Sequence, residues 1–248
     1  LVLGSGLGIS AGFMGTYFKS TELVDLSPDA EDLLAYYHDV NYQALDKVTL
    51  HKQDALTYIL NRQQTNKKYD YILSSVSGAG YAFSAMLYTK EFFNAAAKIL
   101  DEDGIYGIWM NDLNFDKRGK DVYASLKKIF PHIRAMTIYR KRYRKNLTTN
   151  DTANPYQEYH VLVASKKPLK LQVDAEGELV QHLYKLDKRL YRNFDKRRAQ
   201  YTQQQDKMIT PLEKILRTRE ITVKREPGTP SSMAHLKFAY GFKLHYDK

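Results

Sequence analysis

Strand-like and helix-like segments alternate through residues 1–165, and this alternation constrains the fold more than any other feature of the sequence. Short apolar stretches bounded by turn residues predict strands at 1–4, 22–26, 47–52, 69–74 and 105–110. Helical spacing predicts intervening helices at 9–18, 29–37, 54–60, 89–100 and 121–130. Such alternation is typical of a parallel sheet that carries helices on both faces.

The last two strands of this region depart from the alternation. Residues 131–139 and 157–165 are strand-like, and no helix is predicted between them. Because antiparallel neighbours need only a short connection, we expect these segments to form an antiparallel pair at the sheet edge. The uncharged stretch 71–89 is interrupted by Ser and Gly and is interpreted as a strand followed by a loop, not as a membrane span.

The remaining residues, 166–248, differ from the first 165 in charge. They hold 19 Lys and Arg against 10 Asp and Glu, whereas residues 1–165 hold 19 against 18. We therefore predict two parts, a domain at 1–165 and a basic, largely helical C-terminal extension at 166–248. Within the extension, residues 177–205 are expected to form an amphipathic helix, because apolar residues recur three and four apart. These residues are Leu179, Leu183, Leu186, Leu190 and Phe194.

Three alternate glycines follow the first predicted strand. Gly4, Gly6 and Gly8, with Ser5 between the first two, lead directly into the first predicted helix. Glycines at this point let a backbone approach a ligand closely, and the amides of a helix N-terminus favour negative charge. The glycines alone fit a binding loop and an ordinary tight turn about equally well.

Two aspartates follow the next two strands and favour the binding interpretation. Asp25 and its neighbour Leu26 end the second strand, where a carboxylate can accept both hydroxyls of a ribose. Asp54, followed by Ala55, comes after the third strand and can accept from an adenine amino group. The alternative is a turn, a charge at a strand end and a helix N-cap. In the binding interpretation, the glycine loop, Asp25 and Asp54 are all expected at the same edge of the sheet.

Five segments of the sequence carry a family resemblance: GSGLGISAG, VDLSPDA, QDALTYIL, YDYILSS and LYTKEFFNAAAKILDEDGIYGIWM. Together they resemble the spermidine synthase (aminopropyltransferase) family. The similarity is closest to bacterial spermidine synthase-like proteins that are often fused to membrane segments. It implies a class I methyltransferase-like (Rossmann-like) fold and, as co-substrate, decarboxylated S-adenosylmethionine or S-adenosylmethionine. By this resemblance Gly4, Gly6 and Gly8 line the nucleotide site, Asp25 takes the ribose position and Asp54 the adenine position.

The sequence departs from the family after the fourth strand. The family carries there an Asp-rich loop whose first carboxylate accepts the proton of the attacking amine, but residues 74–80 contain no carboxylate. A serine hydroxyl cannot hold that proton near neutral pH. The candidate catalytic residues are therefore Ser74, Ser75 and Asp112, the last of which follows the fifth predicted strand.

Three functions stay open at this point. The first is aminopropyl or related transfer to a small-molecule amine, in polyamine biosynthesis. The second is S-adenosylmethionine-dependent methyl transfer, with RNA as one candidate substrate. The third is nucleotide binding without catalysis. Besides the amine, a second copy of the chain is a candidate partner. RNA or an anionic membrane surface can contact the basic tail and the cluster at 139–145, and a solvated charged face is the alternative there.

Other classes of site are not expected. The chain contains no cysteine, which excludes disulfides and thiol nucleophiles and fits a cytoplasmic location. Its seven histidines show no metal-ligand spacing, so no metal site is expected. The chain starts within a predicted strand and without an initiator Met, so we expect an upstream portion through which membrane attachment can occur.

Overall fold

A computed structural model describes residues 1–76, 82–110, 117–141, 156–169 and 219–221. The strands are Val2–Leu3 (β1), Glu22–Asp25 (β2), Thr49–Lys52 (β3), Tyr69–Ser74 (β4), Leu100–Met110 (β5), His132–Lys141 (β6), Tyr156–Ser165 (β7) and Arg219–Ile221 (β8). The helices are Ile9–Tyr17 (α1), Ala30–Tyr36 (α2), Ala55–Gln63 (α3), Ala82–Ala85 (α4), Lys90–Ile99 (α5) and Lys117–Lys127 (α6), with 3₁₀ turns at Ala44–Asp46 and Met86–Tyr88.

All eight described strands form one sheet in the order β3-β2-β1-β4-β5-β7-β6-β8. The first five strands of the chain are parallel to one another. Strand β7 runs antiparallel to both β5 and β6, so the predicted antiparallel pair is confirmed. The prediction that this pair ends the sheet is wrong, because β8 lies antiparallel on the far side of β6.

The two faces of the sheet carry separate hydrophobic clusters. On one, which we call the α1 face, α1 and α2 bury Ala11, Met14 and Leu34 against β1 and β2. On the other, the α5 face, α3, α5 and α6 pack against the central strands, and the Tyr106 ring stacks on Phe130 at 5.8 Å. Side-chain alternation along each strand supplies both faces from the same segments. The sheet is therefore covered by helices on both sides, as the alternation predicts.

Local signals explain where the helices begin. The Thr89 hydroxyl accepts a hydrogen bond from the Phe92 amide at 3.3 Å and caps α5. Asp54 caps α3 in the same way, through the amide of Thr57. Five predicted strands and five predicted helices are present, with ends shifted by a few residues. Strand β5 starts earlier than predicted, at Leu100, and the helical turns at 82–88 replace part of the predicted loop.

A group of hydrogen bonds around the Glu22 carboxylate connects three elements at the amino-terminal edge of the sheet. Glu22, at the start of β2, accepts hydrogen bonds from the hydroxyls of Tyr58 and Tyr69 and from the Lys67 ammonium, and pairs with Arg62 at 3.3 Å. Burial alone would raise the pKa of Glu22. The hydrogen bonds from Lys67 and the two tyrosines outweigh burial and lower this pKa to about 2. The cluster joins β2, α3 and β4 through one charge.

The C-terminal extension lies largely outside the described residues, including the helix predicted at 177–205. Its described parts are 166–169 and β8, which is a strand and not a helix. Within the described ranges, no helix combines the length and the apolar character that crossing a bilayer requires.

Candidate functional site

The glycine loop joins β1 to α1 in a conformation that requires glycine. Gly4, Gly6 and Gly8 have φ angles of +87°, +49° and +85°, all in the left-handed region. A Cβ atom on Gly4 would lie 2.9 Å from Val76 Cγ2, and one on Gly8 would lie 2.3 Å from Leu34 Cδ2. A Cβ on Gly6 would meet no atom within 4 Å. Gly4 and Gly8 therefore serve packing, whereas the backbone at Gly6 faces open space.

The loop leads straight into the positive end of a helix. Gly8 is the N-cap of α1 and provides no side-chain cap, and the first turn of α1 contains no acidic residue. Unpaired amides at a helix N-terminus attract anions and polar oxygens. The open side of the loop at Gly6 is therefore suited to an electron-rich group.

The Asp25 carboxylate is hydrogen-bonded directly to the glycine loop. Its Oδ2 accepts hydrogen bonds from the Ser5 amide at 2.6 Å and from the Ser5 hydroxyl at 2.7 Å. Its Oδ1 accepts from the Ser27 amide at 2.7 Å. An ionised carboxylate offers about four acceptor positions, so these three bonds leave roughly one. The structure thus brings the end of β2 and the loop together, with Ser5 buried between them.

Asp54 follows the end of β3, the strand that neighbours β2 and Asp25. Residues Asp25 and Lys52 are register partners in β2 and β3, and Asp54 follows two residues later. Its Oδ1 accepts from the Thr57 amide at 2.8 Å and from the Thr57 hydroxyl at 3.0 Å. The carboxylate therefore acts as a helix N-cap, the alternative that the sequence left open, and it remains half-buried.

The flanking candidates differ in exposure. Leu26 is 63% exposed, directly after Asp25, and Ala55 is half-buried as the first residue of α3. Both therefore belong to the same edge of the sheet as the two carboxylates. The Leu26 side chain has the exposed area that an apolar ring system can cover.

The two serines at the end of β4 point in different directions. Ser74 is fully buried on the α5 face, where its hydroxyl lies beside that of Tyr106 without the geometry of a normal hydrogen bond. Burial raises the pKa of the Tyr106 hydroxyl above its usual value. Ser75 is half-buried, and its amide donates to the Leu3 carbonyl at 2.8 Å, next to Gly4. This placement argues against Ser74 as a residue that contacts a substrate and leaves Ser75.

Part of the predicted site lies outside the described residues. This applies to Asp112, to residues 77–80 of the serine loop, and to most of the basic cluster at 139–145. Within the part of the chain that is described, no group of three or more His, Asp or Glu side chains is arranged to hold a metal ion.

Sequence reasoning missed Asn41, which supports the glycine loop from behind. This fully buried side chain donates to the Leu34 carbonyl at 2.8 Å and accepts from the Ala44 amide at 3.1 Å. A Cβ on Gly12 would lie 1.9 Å from the Asn41 carbonyl oxygen, so α1 touches this backbone. Both hydrogen-bond partners of Asn41 are near in the sequence, but its contact with the glycine loop depends on how α1 packs against the 37–44 segment, which no local motif marks.

Comparison with known proteins decides the family. The family model of the spermine/spermidine synthase domain matches residues 30–160, more than half of the chain. The chain belongs to this family. The matched range includes Asp54 and β4. The glycine loop and Asp25 lie before residue 30, so the placement of these two features in this spermine/spermidine synthase domain comes from the structure and not from the family match.

Two curated proteins are similar over shorter shares of their own length. Polyamine aminopropyltransferase 2 of Aquifex aeolicus is 25% identical over 178 residues, which cover 69% of this chain and 33% of that protein. The N-terminal histidine N-methyltransferase of Emericella nidulans is 26% identical over 137 residues, 54% of this chain and 24% of that protein. The chain thus spans a third or less of the length of these relatives.

Solved spermidine synthases share the fold. A spermidine synthase in complex with the transition state analogue AdoDATO gives a TM-score of 0.55 at 16% identity, covering 77% of this chain and 68% of that chain. The spermidine synthase from Thermotoga maritima gives 0.53 at 17% identity, with 77% and 67% covered. These similarities confirm the predicted methyltransferase-like α/β fold of this family member.

Proposed function

We propose that this chain is a transferase that binds decarboxylated S-adenosylmethionine or S-adenosylmethionine at the carboxyl edge of β1, β2 and β3. The observation that carries the proposal is the Asp25 carboxylate, held at 2.6 Å from the Ser5 amide beside the open backbone of Gly6. A ribose hydroxyl can donate to the remaining acceptor position of Asp25. The AdoDATO complex of a structural neighbour supports the same class of ligand.

Asp54 and Leu26 would hold the base of that nucleotide. The Asp54 carboxylate uses only Oδ1 for its cap, so Oδ2 can accept from an adenine amino group. The exposed Leu26 side chain provides an apolar surface for the ring. Each of these contacts is modest, and together they would fix the position of the sulfonium relative to β4.

The leading reaction is transfer of an aminopropyl group to a small amine, a step of polyamine biosynthesis. The amine nitrogen attacks the carbon next to the sulfonium, the carbon–sulfur bond breaks, and its electron pair neutralises the sulfur as a thioether. The nitrogen loses one proton to a base or to water. The sulfonium is itself a good leaving group, so the contribution of the chain is largely to position the two reactants.

Methyl transfer from the same nucleotide is the second candidate. It is favoured by the absence of a carboxylate in residues 74–80, where a polyamine would need an anionic partner. The similarity to a fungal N-methyltransferase supports it as well. Methyl transfer uses the same pocket and the same attack on a carbon bound to sulfur.

Calorimetric titration with both nucleotides, followed by mass spectrometry of the products with putrescine present, tests the proposal. Methylthioadenosine together with an aminopropylated amine supports the first reaction, and S-adenosylhomocysteine supports the second. Binding without either product indicates a nucleotide-binding role. ATP is the control ligand, because it shares the adenosine but lacks the sulfonium. If neither nucleotide binds more tightly than ATP, the proposal is overturned.

A further inference from the structure

The topology of the last strands requires a long connection across the sheet. Strands β7 and β8 both run antiparallel to β6, which lies between them, so β7 and β8 are parallel to each other. The chain therefore has to come back from Ser165 to the level of His160, where Arg219 begins the pairing of β8 with β6. Connections between parallel strands of one sheet are right-handed in about 98% of cases.

The hand of this connection selects one face of the sheet. The connection from β4 to β5 runs toward the β8 edge and crosses the α5 face, where α5 packs. The connection from β7 to β8 also runs toward that edge, but its strands point the opposite way. For the same hand, it must cross the opposite face, which is the α1 face.

The α1 face at β5 and β7 is apolar and lies beyond the cluster that α1 and α2 form. Side-chain alternation places Ile105, Trp109, Val161 and Val163 on it, since their neighbours face α5. None of these four belongs to either described hydrophobic cluster. Three are half-buried, but Val163 is only 4% exposed. Val163 is the register partner of Gly107, and the Tyr71 hydroxyl and Leu73 lie beside Gly107, so described residues contribute to the burial of Val163. The other three residues of this surface keep exposed area that a further segment can cover.

We infer that the apolar stripe of residues 177–205 docks on this surface, which we call the β5–β7 patch (Ile105, Trp109, Val161 and Val163). The stripe from Leu179 to Phe194 would extend about 24 Å as a helix, and ten-residue strands such as β7 extend about 33 Å. One helix of this segment therefore fits along the strands that it must cross.

This docking would turn the basic residues of the extension toward solvent. On a helix, Lys185, Lys188 and Arg192 lie on the side opposite Leu183 and Leu190. The net charge of the extension would then form the outer surface of the α1 face, while its leucines complete a hydrophobic layer. By this proposal the segment extends the helical layer that α1 and α2 form on the α1 face, and is not a separate appendage.

The composition of the chain allows a clean test. Trp109 is the single tryptophan and lies on the β5–β7 patch, so its fluorescence reports on what covers the patch. Leu186→Glu and Leu190→Glu should shift its emission to longer wavelength and increase quenching by acrylamide in the full chain. Gln181→Glu adds the same charge on the opposite helix side and should change neither. Identical Trp109 signals in all three variants would overturn the proposal.

Cross-linking keeps the test decisive if a glutamate variant fails to fold. The chain has no cysteine of its own, so Val161→Cys can be combined with Leu183→Cys, Leu186→Cys or Leu190→Cys without competing thiols. At least one pair should form an intramolecular disulfide under mild oxidation, and the pair with Gln181→Cys should form none. A disulfide that appears only between two chains would show that a second copy covers the patch. Absence of any cross-link would also contradict the proposal.

Discussion

Replacing Asp25 by Ala tests the candidate nucleotide site at its most connected residue. The change removes a carboxylate that accepts three hydrogen bonds within the loop and, by the proposed function, at least one from the ribose. Loss of a charged hydrogen-bond partner costs about 1.5–3 kcal/mol. The dissociation constant for S-adenosylhomocysteine or for the active nucleotide should therefore rise about 10- to 150-fold in calorimetric titration.

The structural role of Asp25 has to be separated from its contact with the ligand. Ser5→Ala removes only the bond from the hydroxyl and should cost about 0.5–1.5 kcal/mol of binding. Analogues of S-adenosylhomocysteine that lack the 2′ or the 3′ hydroxyl provide the second comparison. The wild-type chain should bind at least one of them more weakly than the parent ligand, and Asp25→Ala should lose this discrimination. Unchanged binding by Asp25→Ala, or discrimination that survives the change, would refute the assignment.

Five further substitutions, in three groups, test the stability of the fold and the serine loop. Glu22→Gln should lower the free energy of unfolding at pH 7 by about 2 kcal/mol. This value is smaller than the pKa shift alone would give, because solvent screens the partly exposed Lys67. Because the folded pKa of Glu22 is lowered from 4.5 to about 2, urea unfolding should show this difference shrinking as the pH falls from about 4.5 toward 2. Gly8→Ala should lower the free energy of unfolding by about 2 kcal/mol or more, since its Cβ would clash at a φ of +85°. Gly6→Ala should lower it by about 1 kcal/mol, because its Cβ meets no neighbour. Equal losses of stability in thermal melts would contradict this interpretation of the loop. Ser75→Asp should raise aminopropyl transfer about 10²-fold or more in a product assay, while Ser74→Asp buries a carboxylate and should destabilise the chain. No gain from Ser75→Asp at saturating nucleotide would favour methyl transfer or a binding role.

Most of the fold could be predicted because the pattern and the packing agree. Strand β4 is bounded in the structure as the sequence predicts, at Tyr69–Ser74, and Thr89 and Asp54 cap the helices that follow them. The predicted start of β5 is too late, because residues 101–104 have the composition of a turn and predict one. A register shift in its pairing with β4 absorbs these residues. Strand β8 could not be predicted, since a three-residue edge strand depends on its partner β6 and carries no pattern of its own.

The candidate site was predictable where it follows strand ends and not where it depends on side-chain direction. The glycine loop and Asp25 are adjacent because parallel strands deliver their carboxyl ends to one edge. The burial of Ser74 had a signal in the sequence: period-two alternation puts it on the same face as Ile72, which is buried in the core. Asn41 had no such signal, because its position behind the glycine loop depends on how α1 packs against it, although both of its hydrogen-bond partners are near in the sequence.

The half-buried Ser75 raises a question about the proton of the acceptor. An alkylammonium with a pKa near 10.4 is neutral at pH 7 only at a free-energy cost of about 4–5 kcal/mol, which a nearby carboxylate would help to offset. An acceptor nitrogen that is already neutral at pH 7, such as an imidazole, needs no such group. We therefore expect the pH dependence of transfer, measured at saturating nucleotide, to identify the class of acceptor. With an alkylamine and no base, the rate should rise about tenfold per pH unit toward pH 10. A plateau above pH 7 with putrescine would contradict this reasoning and would mean that another group, for which Asp112 is the candidate, takes the proton.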